Sequence, residues 1–90
     1  MIHQSKNFLK SEFFDIEKVY SLLRANSTKI DREKCELILS RALQIHLKGS
    51  MNIDLSLSQC QNKLNTTKKV LITPYAYNLS ISEYFAGSGA

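Results

Sequence analysis

Three lysines in the C-terminal half, Lys63, Lys68 and Lys69, are the residues with the clearest chemical capability in this sequence. Ammonium groups neutralise phosphates, and this supplies much of the affinity of proteins for nucleic acid. Ser82 and Tyr84 follow further along the chain, where a hydroxyl could contact a phosphate and an aromatic ring could stack on a base. We take these five residues as the candidate nucleic-acid-binding set.

The charge of the whole chain permits such a partner without requiring it. The 90 residues have a formal net charge of +4 and a pI of about 9.2, and a basic protein can attract nucleic acid or an acidic protein surface. Most of the Lys and Arg residues lie in residues 1–48, where acidic residues are interleaved with them. That arrangement is equally typical of a solvated helix surface.

Enzymatic and metal chemistry find little support in the sequence. No serine or cysteine has a histidine in a recognisable nucleophile context, and an activated nucleophile needs an adjacent base. The spacing of Cys35, Cys60, His3 and His46 matches no recurring zinc-ligand pattern. We expect a non-enzymatic protein with no metal, no cofactor and no small-molecule substrate, in which Cys35 is a buried hydrophobic residue.

Length and composition indicate one small globular domain, residues 1–85, followed by a flexible Gly/Ser-containing tail, residues 86–90. No apolar run approaches the roughly 20 residues of a membrane span. No hydrophobic signal segment follows the first residues. The sequence therefore predicts a cytoplasmic protein with no membrane partner.

The best-specified element is a helix over about residues 31–48. Its apolar residues recur at helical spacing, Asp31 is a competent N-cap, and Gly49 is a typical C-terminal stop. A preceding segment, about residues 11–26, shows the same one-face spacing. Together the two segments predict an N-terminal helical hairpin.

The hydrophobic pattern changes its period after this helix. Residues 51–57 and 75–81 alternate between apolar and polar side chains, which is typical of half-buried strands. A short helix is predicted between them at about residues 58–65, and the β-branched run at residues 69–73 could add a strand. We therefore predict an α+β fold: a helical hairpin followed by a short helix and a small two- or three-stranded sheet.

The main alternative is an all-α bundle with a helix-turn-helix-like segment near its C-terminus. The stretch Ala76–Phe85 resembles the middle of a helix-turn-helix, with Leu79 and Ile81 as apolar pins and Ser82 as the N-cap of the second helix. This resemblance implies that Ser82 and Tyr84 would face a DNA groove.

Two functional hypotheses follow. The favoured one is a small regulatory protein of the transcriptional-regulator type that binds nucleic acid through the five residues above. The alternative is a protein-interaction module, such as an adaptor, inhibitor, antitoxin or secretion chaperone, because the apolar face of the central helix is wider than one helix can cover. A protein partner or a homodimer is expected to use this surface. Its residues are Leu39, Leu43, Leu47 and Phe85.

Overall fold

Six elements follow one another in residues 10–88, the part of the chain that the computed structural model describes. A short strand, β1, spans Glu12–Asp15 and leads directly into helix α1, Ile16–Arg24. The remaining elements are helix α2 (Arg32–Met51), helix α3 (Leu57–Thr67), strand β2 (Lys69–Ile72) and helix α4 (Pro74–Ser88). The coarse prediction of an α+β fold is confirmed, whereas several predicted boundaries are not.

Helix α2 is the element on which the others pack. Asp31 caps its N-terminus as predicted, because its carboxylate accepts a hydrogen bond from the backbone N–H of Lys34 at 2.9 Å. Helices α1, α3 and α4 and strand β2 all contact α2. Its buried residues are Cys35, Ile38, Leu39, Ser40, Ala42, Leu43, His46 and Leu47.

The three leucines suggested as an interaction surface, Leu39, Leu43 and Leu47, lie in this core. The apolar face of α2 is covered from within the chain, by α1, α3, α4 and β2. The sequence shows how wide the face is but not how many elements fold back onto it. These leucines are therefore not an exposed surface for a partner.

Helix α2 ends at Met51, three residues later than predicted. Gly49 lies inside the last turn, and the chain leaves the helix at Asn52, which adopts the left-handed conformation with φ of 54°. Asparagine tolerates this conformation better than most residues, and Lys48 Nζ donates a 3.0 Å hydrogen bond to its side-chain oxygen. The stop signal is therefore Asn52 and not the glycine.

The predicted first helix, residues 11–26, is divided between β1 and α1. Asp15 caps α1 by accepting a hydrogen bond from the backbone N–H of Lys18 at 2.7 Å, so the helix begins immediately after it. The residues before it form a strand that pairs with β2. Phe14 turns inward there, and its ring stacks on Tyr77 with the ring centroids 4.8 Å apart.

The sheet consists of β1 and β2, which run antiparallel with Phe13 directly opposite Leu71. Successive side chains of a strand point to opposite faces. Phe14, Val70 and Ile72 point into the core, whereas Phe13 and Leu71 are exposed on the outer face. The strand suggested at residues 69–73 is thus present, but its partner comes from the N-terminal segment.

Neither of the two alternating segments forms a strand. Residues 52–56 are an irregular connection that pairs with no strand in the described part of the chain. This connection is held to α2 by Gln44, whose Nε2 donates to the carbonyl oxygen of Leu55 at 2.8 Å. A two-residue period produces a strand only where a neighbouring strand is available, and here none is.

Helix α3 begins one residue earlier than predicted because its capping box is built on Ser56. The Ser56 hydroxyl accepts a hydrogen bond from the N–H of Gln59 at 3.1 Å, and Gln59 Oε1 accepts one from the N–H of Ser56 at 2.8 Å. This reciprocal pair satisfies two backbone donors of the helix end. Cys60 and Leu64 of α3 point into the core.

Helix α4 spans residues for which the sequence predicted a strand (75–81) or a helix-turn-helix-like segment (76–85). Both predictions are wrong, because the segment is one continuous helix. Thr73 caps it, because its Oγ1 accepts a hydrogen bond from the N–H of Ala76 at 3.1 Å. Pro74 occupies the first helical position, where its missing N–H is not needed. The helix continues without a turn through residues 86–88, which the sequence assigned to the tail; the last two residues lie outside the described range.

The packing of α4 on α2 explains why the alternating pattern is misleading. Among residues 74–87 of α4, the buried positions are Ala76, Tyr77 and Ser80, which lie on one face of a helix. Ser80 is polar, but its hydroxyl donates a 2.6 Å hydrogen bond to the carbonyl oxygen of Ile38. Burial also raises the pKa of Tyr77 to about 12, so its phenol stays neutral.

We expect Leu39→Ala to lower the free energy of unfolding by about 2–5 kcal/mol, because Leu39 is fully buried and the truncation leaves a cavity. Urea denaturation followed by circular dichroism measures the change. Leu37→Ala is the matched control, since Leu37 lies two residues away on α2 but is 38% exposed. Equal losses for the two variants would contradict this packing of α2.

Gly49→Ala should raise the free energy of unfolding by about 0.5–1 kcal/mol, because glycine is unfavourable inside a helix. An added Cβ at this position would meet no heavy atom within 4 Å. The same denaturation experiment tests the prediction. A less stable alanine variant would indicate that the helix stops at the glycine after all.

Candidate nucleic-acid interface

A surface cleft of about 430 Å³ lies between the C-terminal half of α2, the end of α3 and β2. We name it the lysine cleft, because Lys63 and Lys69 both line it. Its floor is apolar, its rim carries hydroxyls and one imidazole, and none of the residues within 10–88 that line it is acidic. The lining consists of Ser11, Leu43, His46, Leu47, Ser50, Met51, Lys63, Thr67, Lys69, Val70, Leu71 and Thr73.

The end of α3 brings the three predicted lysines into one short segment. Lys63 lies on α3, Lys69 begins β2, and Lys68 connects the two elements. The Thr67 hydroxyl lies 2.9 Å from the carbonyl oxygen of Lys63 and 2.7 Å from that of Lys69. Its single hydrogen is shared between these two acceptors. This hydroxyl ties the end of the helix to the start of the strand.

Lys68 has an unusual backbone conformation for a lysine. It caps α3 in the left-handed region, with φ of 68°, which costs a residue with a Cβ about 1–2 kcal/mol. Glycine and asparagine are the usual residues at such helix ends, and α2 ends in the same way at Asn52. A lysine at the end of α3 therefore places a cation beside the cleft at a cost in backbone energy.

The lysines of this segment have no acidic partner within residues 10–88. Five other basic residues form ion pairs with carboxylates, and these are Lys18, Arg32, Lys34, Arg41 and Lys48. Lys63, Lys68 and Lys69 take part in none of these pairs. Asp15 lies across from Lys69 in the sheet, but its carboxylate is engaged in the cap of α1. None of the three lysines thus forms an ion pair with a carboxylate of residues 10–88, although the negative charge of Asp15 lies near Lys69.

His46 is the imidazole of the lysine cleft. Its Nδ1 lies 3.3 Å from the hydroxyl oxygen of Ser50, one helical turn further along α2. Burial lowers the pKa of His46, so the ring is neutral at neutral pH and the positive charge of the cleft comes from the lysines. Sequence reasoning did not find this pair, although its four-residue spacing places both side chains on one helix face.

The outer face of the sheet continues the cleft. Lys69 Nζ lies 4.7 Å from the centroid of the Phe13 ring, and Leu71, which lines the cleft, is directly opposite Phe13. Phe13 is 56% exposed. Sequence reasoning placed this phenylalanine in a helix and missed it, because only the strand register shows which face it occupies.

Two other predicted site residues, Tyr84 and Phe85, lie near the N-terminal end of α2. Tyr84 and Phe85 line a separate cleft of about 240 Å³ together with Ile30 and Lys34. Their rings are in edge-to-face contact with centroids 5.3 Å apart, and Ser82 is exposed on the same helix. Neither Ser82 nor Tyr84 lines the lysine cleft, so the structure does not assemble the five predicted residues into one site.

Groups suited to metal binding or nucleophilic chemistry are not gathered in the described part of the chain. Among residues 10–88, no three His, Cys, Asp or Glu side chains lie close enough together to hold a metal ion. Cys35 and Cys60 are free and buried, and burial raises the pKa of both thiols, which makes them weak nucleophiles. His3, the other zinc-ligand candidate, lies outside these residues.

Comparison with known proteins leaves the interpretation to the geometry of the chain itself. No family model, curated protein or solved structure matches this chain. None of the helices in residues 10–88 combines the length and hydrophobicity needed to cross a membrane. The feature that remains is a basic cleft, whose lysines form no ion pair within residues 10–88, beside an exposed aromatic ring.

We expect the free energy of unfolding to fall as the pH is lowered from 7.5 to about 5, in part because of His46. Its pKa is lowered in the folded chain, so the unfolded chain binds the proton more tightly and protonation favours unfolding. This dependence begins near the ordinary imidazole pKa of about 6.5. Urea denaturation at several pH values measures it.

The variant His46→Gln should have a flatter profile over this pH range than the unchanged protein. Identical slopes for the His46→Gln variant and the unchanged protein would show that His46 titrates as freely in the folded chain as in the unfolded one.

Proposed function

We propose that this protein is a small, non-enzymatic binding protein that holds the phosphate backbone of nucleic acid at the lysine cleft. The observation that supports this most directly is the clustering of Lys63, Lys68 and Lys69, without acidic partners in the described residues, beside a cleft with no carboxylate in its lining. A phosphate neutralised there releases its counterions, which favours binding.

The lining of the cleft fits a nucleic-acid backbone better than it fits a free anion. The ammonium groups of Lys63 and Lys69 offer donors to phosphate oxygens, as in most protein contacts to the backbone. The apolar floor, where Met51 and Leu71 are exposed, offers a surface for a sugar or a base. An isolated phosphate would make no use of that floor.

The same groups favour binding over catalysis. The imidazole of His46 is neutral and hydrogen-bonded within its own helix, both thiols are buried, and no carboxylate of the described residues lines the cleft. A protein of this kind acts by occupying its site, which is consistent with a regulatory role. With about three phosphates neutralised, we expect weak binding that depends on salt concentration.

The proposal predicts that Lys63→Gln with Lys69→Gln weakens binding and reduces its salt dependence. Each lost phosphate contact should lower the slope of log K against log salt concentration by about 0.7 for single strands or 0.9 for duplexes. Fluorescence anisotropy with labelled 20-nucleotide single strands and duplexes between 50 and 200 mM salt measures both quantities. Lys68→Gly removes a third charge at a position where glycine is conformationally favoured.

The matched control for net charge is Arg24→Gln with Lys29→Gln. These residues lie near the N-terminal end of α2, and Lys29 lines the cleft of Tyr84 and Phe85. Substituting them should change binding far less than substituting the two cleft lysines. If the control pair had the larger effect, the site would belong to the other end of the molecule, and no binding at 50 mM salt would refute the proposal.

A protein partner is the second candidate function, and one observation favours it. Met51 and Ile53 are respectively 60% and 41% exposed at the end of α2, and Met51 shares the lysine cleft with Leu71. Exposed apolar side chains in a group can mark a protein contact. Such a partner would use this surface rather than the helical hairpin, whose apolar face is already buried.

A further inference from the structure

We infer that the lysine cleft takes single-stranded nucleic acid, and that an unpaired base stacks on Phe13 at the outer face of the sheet. This inference rests on the proposed function and specifies the class of nucleic acid. Phosphate contacts alone do not distinguish a single strand from a duplex. The inference therefore depends on the position of Phe13 relative to the lysines.

The ring of Phe13 is exposed on the outer face of the sheet. Its neighbour Phe14 is buried and stacked on Tyr77, so Phe14 is the aromatic residue that β1 contributes to the core. Phe13 points to the opposite face and remains 56% exposed. Its ring is therefore available for contact with a ligand.

Lys69 joins this ring to the cleft. Its Nζ lies 4.7 Å from the centroid of Phe13, and the same side chain lines the cleft together with Lys63. A backbone that passes the two lysines would thus bring its next base to the outer face of the sheet. Aromatic rings beside a positively charged groove are the usual elements of single-strand binding, since each base offers a face for stacking.

A duplex fits the surroundings of the cleft less well. Paired bases are already stacked on one another and present only their edges in the grooves. A protein reads those edges with polar side chains on an inserted helix or ribbon, whereas the outer face of this sheet presents Phe13 and Leu71. Helix α4, which carries the other predicted binding residues, has no lysine or arginine.

The test compares single strands with duplexes of the same sequence and length by fluorescence anisotropy at 50 mM salt. Labelled oligo(dT) and oligo(U) of 12 nucleotides cover both sugar types, and a 12-base-pair duplex is the comparison. We expect the single strands to bind more tightly. Phe13→Ala should weaken their binding by about 5- to 150-fold, the equivalent of the 1–3 kcal/mol measured for bases stacked on aromatic rings.

Two further substitutions distinguish stacking from simple apolar contact. Phe13→Tyr keeps an aromatic face and should retain the affinity, whereas Phe13→Leu keeps apolar area without a ring and should lose most of it. Because the side chain is largely exposed, these variants should remain folded, which circular dichroism verifies. An affinity fully retained by Phe13→Leu would overturn the stacking inference and indicate an aliphatic contact, as expected for a protein partner.

A fluorescence readout tests the contact directly. The chain has no tryptophan, so Phe13→Trp introduces a single reporter whose emission is quenched when a base stacks on it. Phe85→Trp is the matched control, because Phe85 is 40% exposed but lines the other cleft. We expect quenching by oligo(dT) only at position 13.

The possible failures are distinguishable. Absence of binding to every oligonucleotide would refute the proposed function and this inference with it. Binding that depends on the lysines but is equal for duplexes and single strands, with no effect of Phe13→Ala and no quenching at position 13, would leave the proposed function standing and overturn this inference alone.

Discussion

The buried contact between α2 and α4 is the constraint on which the rest of the structure depends. Ser80 donates its hydroxyl to the carbonyl oxygen of Ile38 at 2.6 Å, in surroundings where an unpaired hydroxyl would cost about 1–3 kcal/mol. With α4 fixed in this way, Tyr77 presents its ring to Phe14, and that stack holds β1 beside β2. Phe13 is then left on the outer face. The contact between α2 and α4, on the inner side of the sheet, therefore determines indirectly that Phe13 is exposed at the candidate site.

The elements with strong local signals are those that the sequence could predict. Asp31 begins α2 because its carboxylate satisfies a backbone donor within the same turn, and such a bond depends on neighbouring residues alone. The strand pattern at residues 75–81 failed for the opposite reason. Ser80 is buried only because a distant carbonyl accepts its hydrogen bond, so a polar residue that looks exposed occupies the core. The pairing of β1 with β2 is equally non-local, and residues 12–15 alone do not predict it.

The candidate site likewise has features that the local sequence predicts and features that depend on the tertiary structure. The grouping of Lys63, Lys68 and Lys69 is visible in the sequence because they lie within seven residues of one another. Their separation from Ser82 and Tyr84 is not visible, since it follows from the uninterrupted helix α4 and its direction along α2. The contribution of His46 and Phe13 to the same surface also requires the tertiary structure. Charge density could thus be read from the chain, whereas its surroundings could not.

The register of the two-stranded sheet has a consequence for the order of folding. Its paired residues are separated by 54 positions (Asp15 with Lys69) to 60 positions (Glu12 with Ile72) in the chain, and closing so long a loop has a high entropic cost. Contacts between α1, α2 and α3 are closer in sequence and can form sooner. During synthesis from the N-terminus, β1 emerges first but has no partner strand until β2 has been made. The outer face of the sheet is consequently among the last surfaces to assemble, and an incompletely folded chain would already possess the lysines but not the aromatic ring beside them.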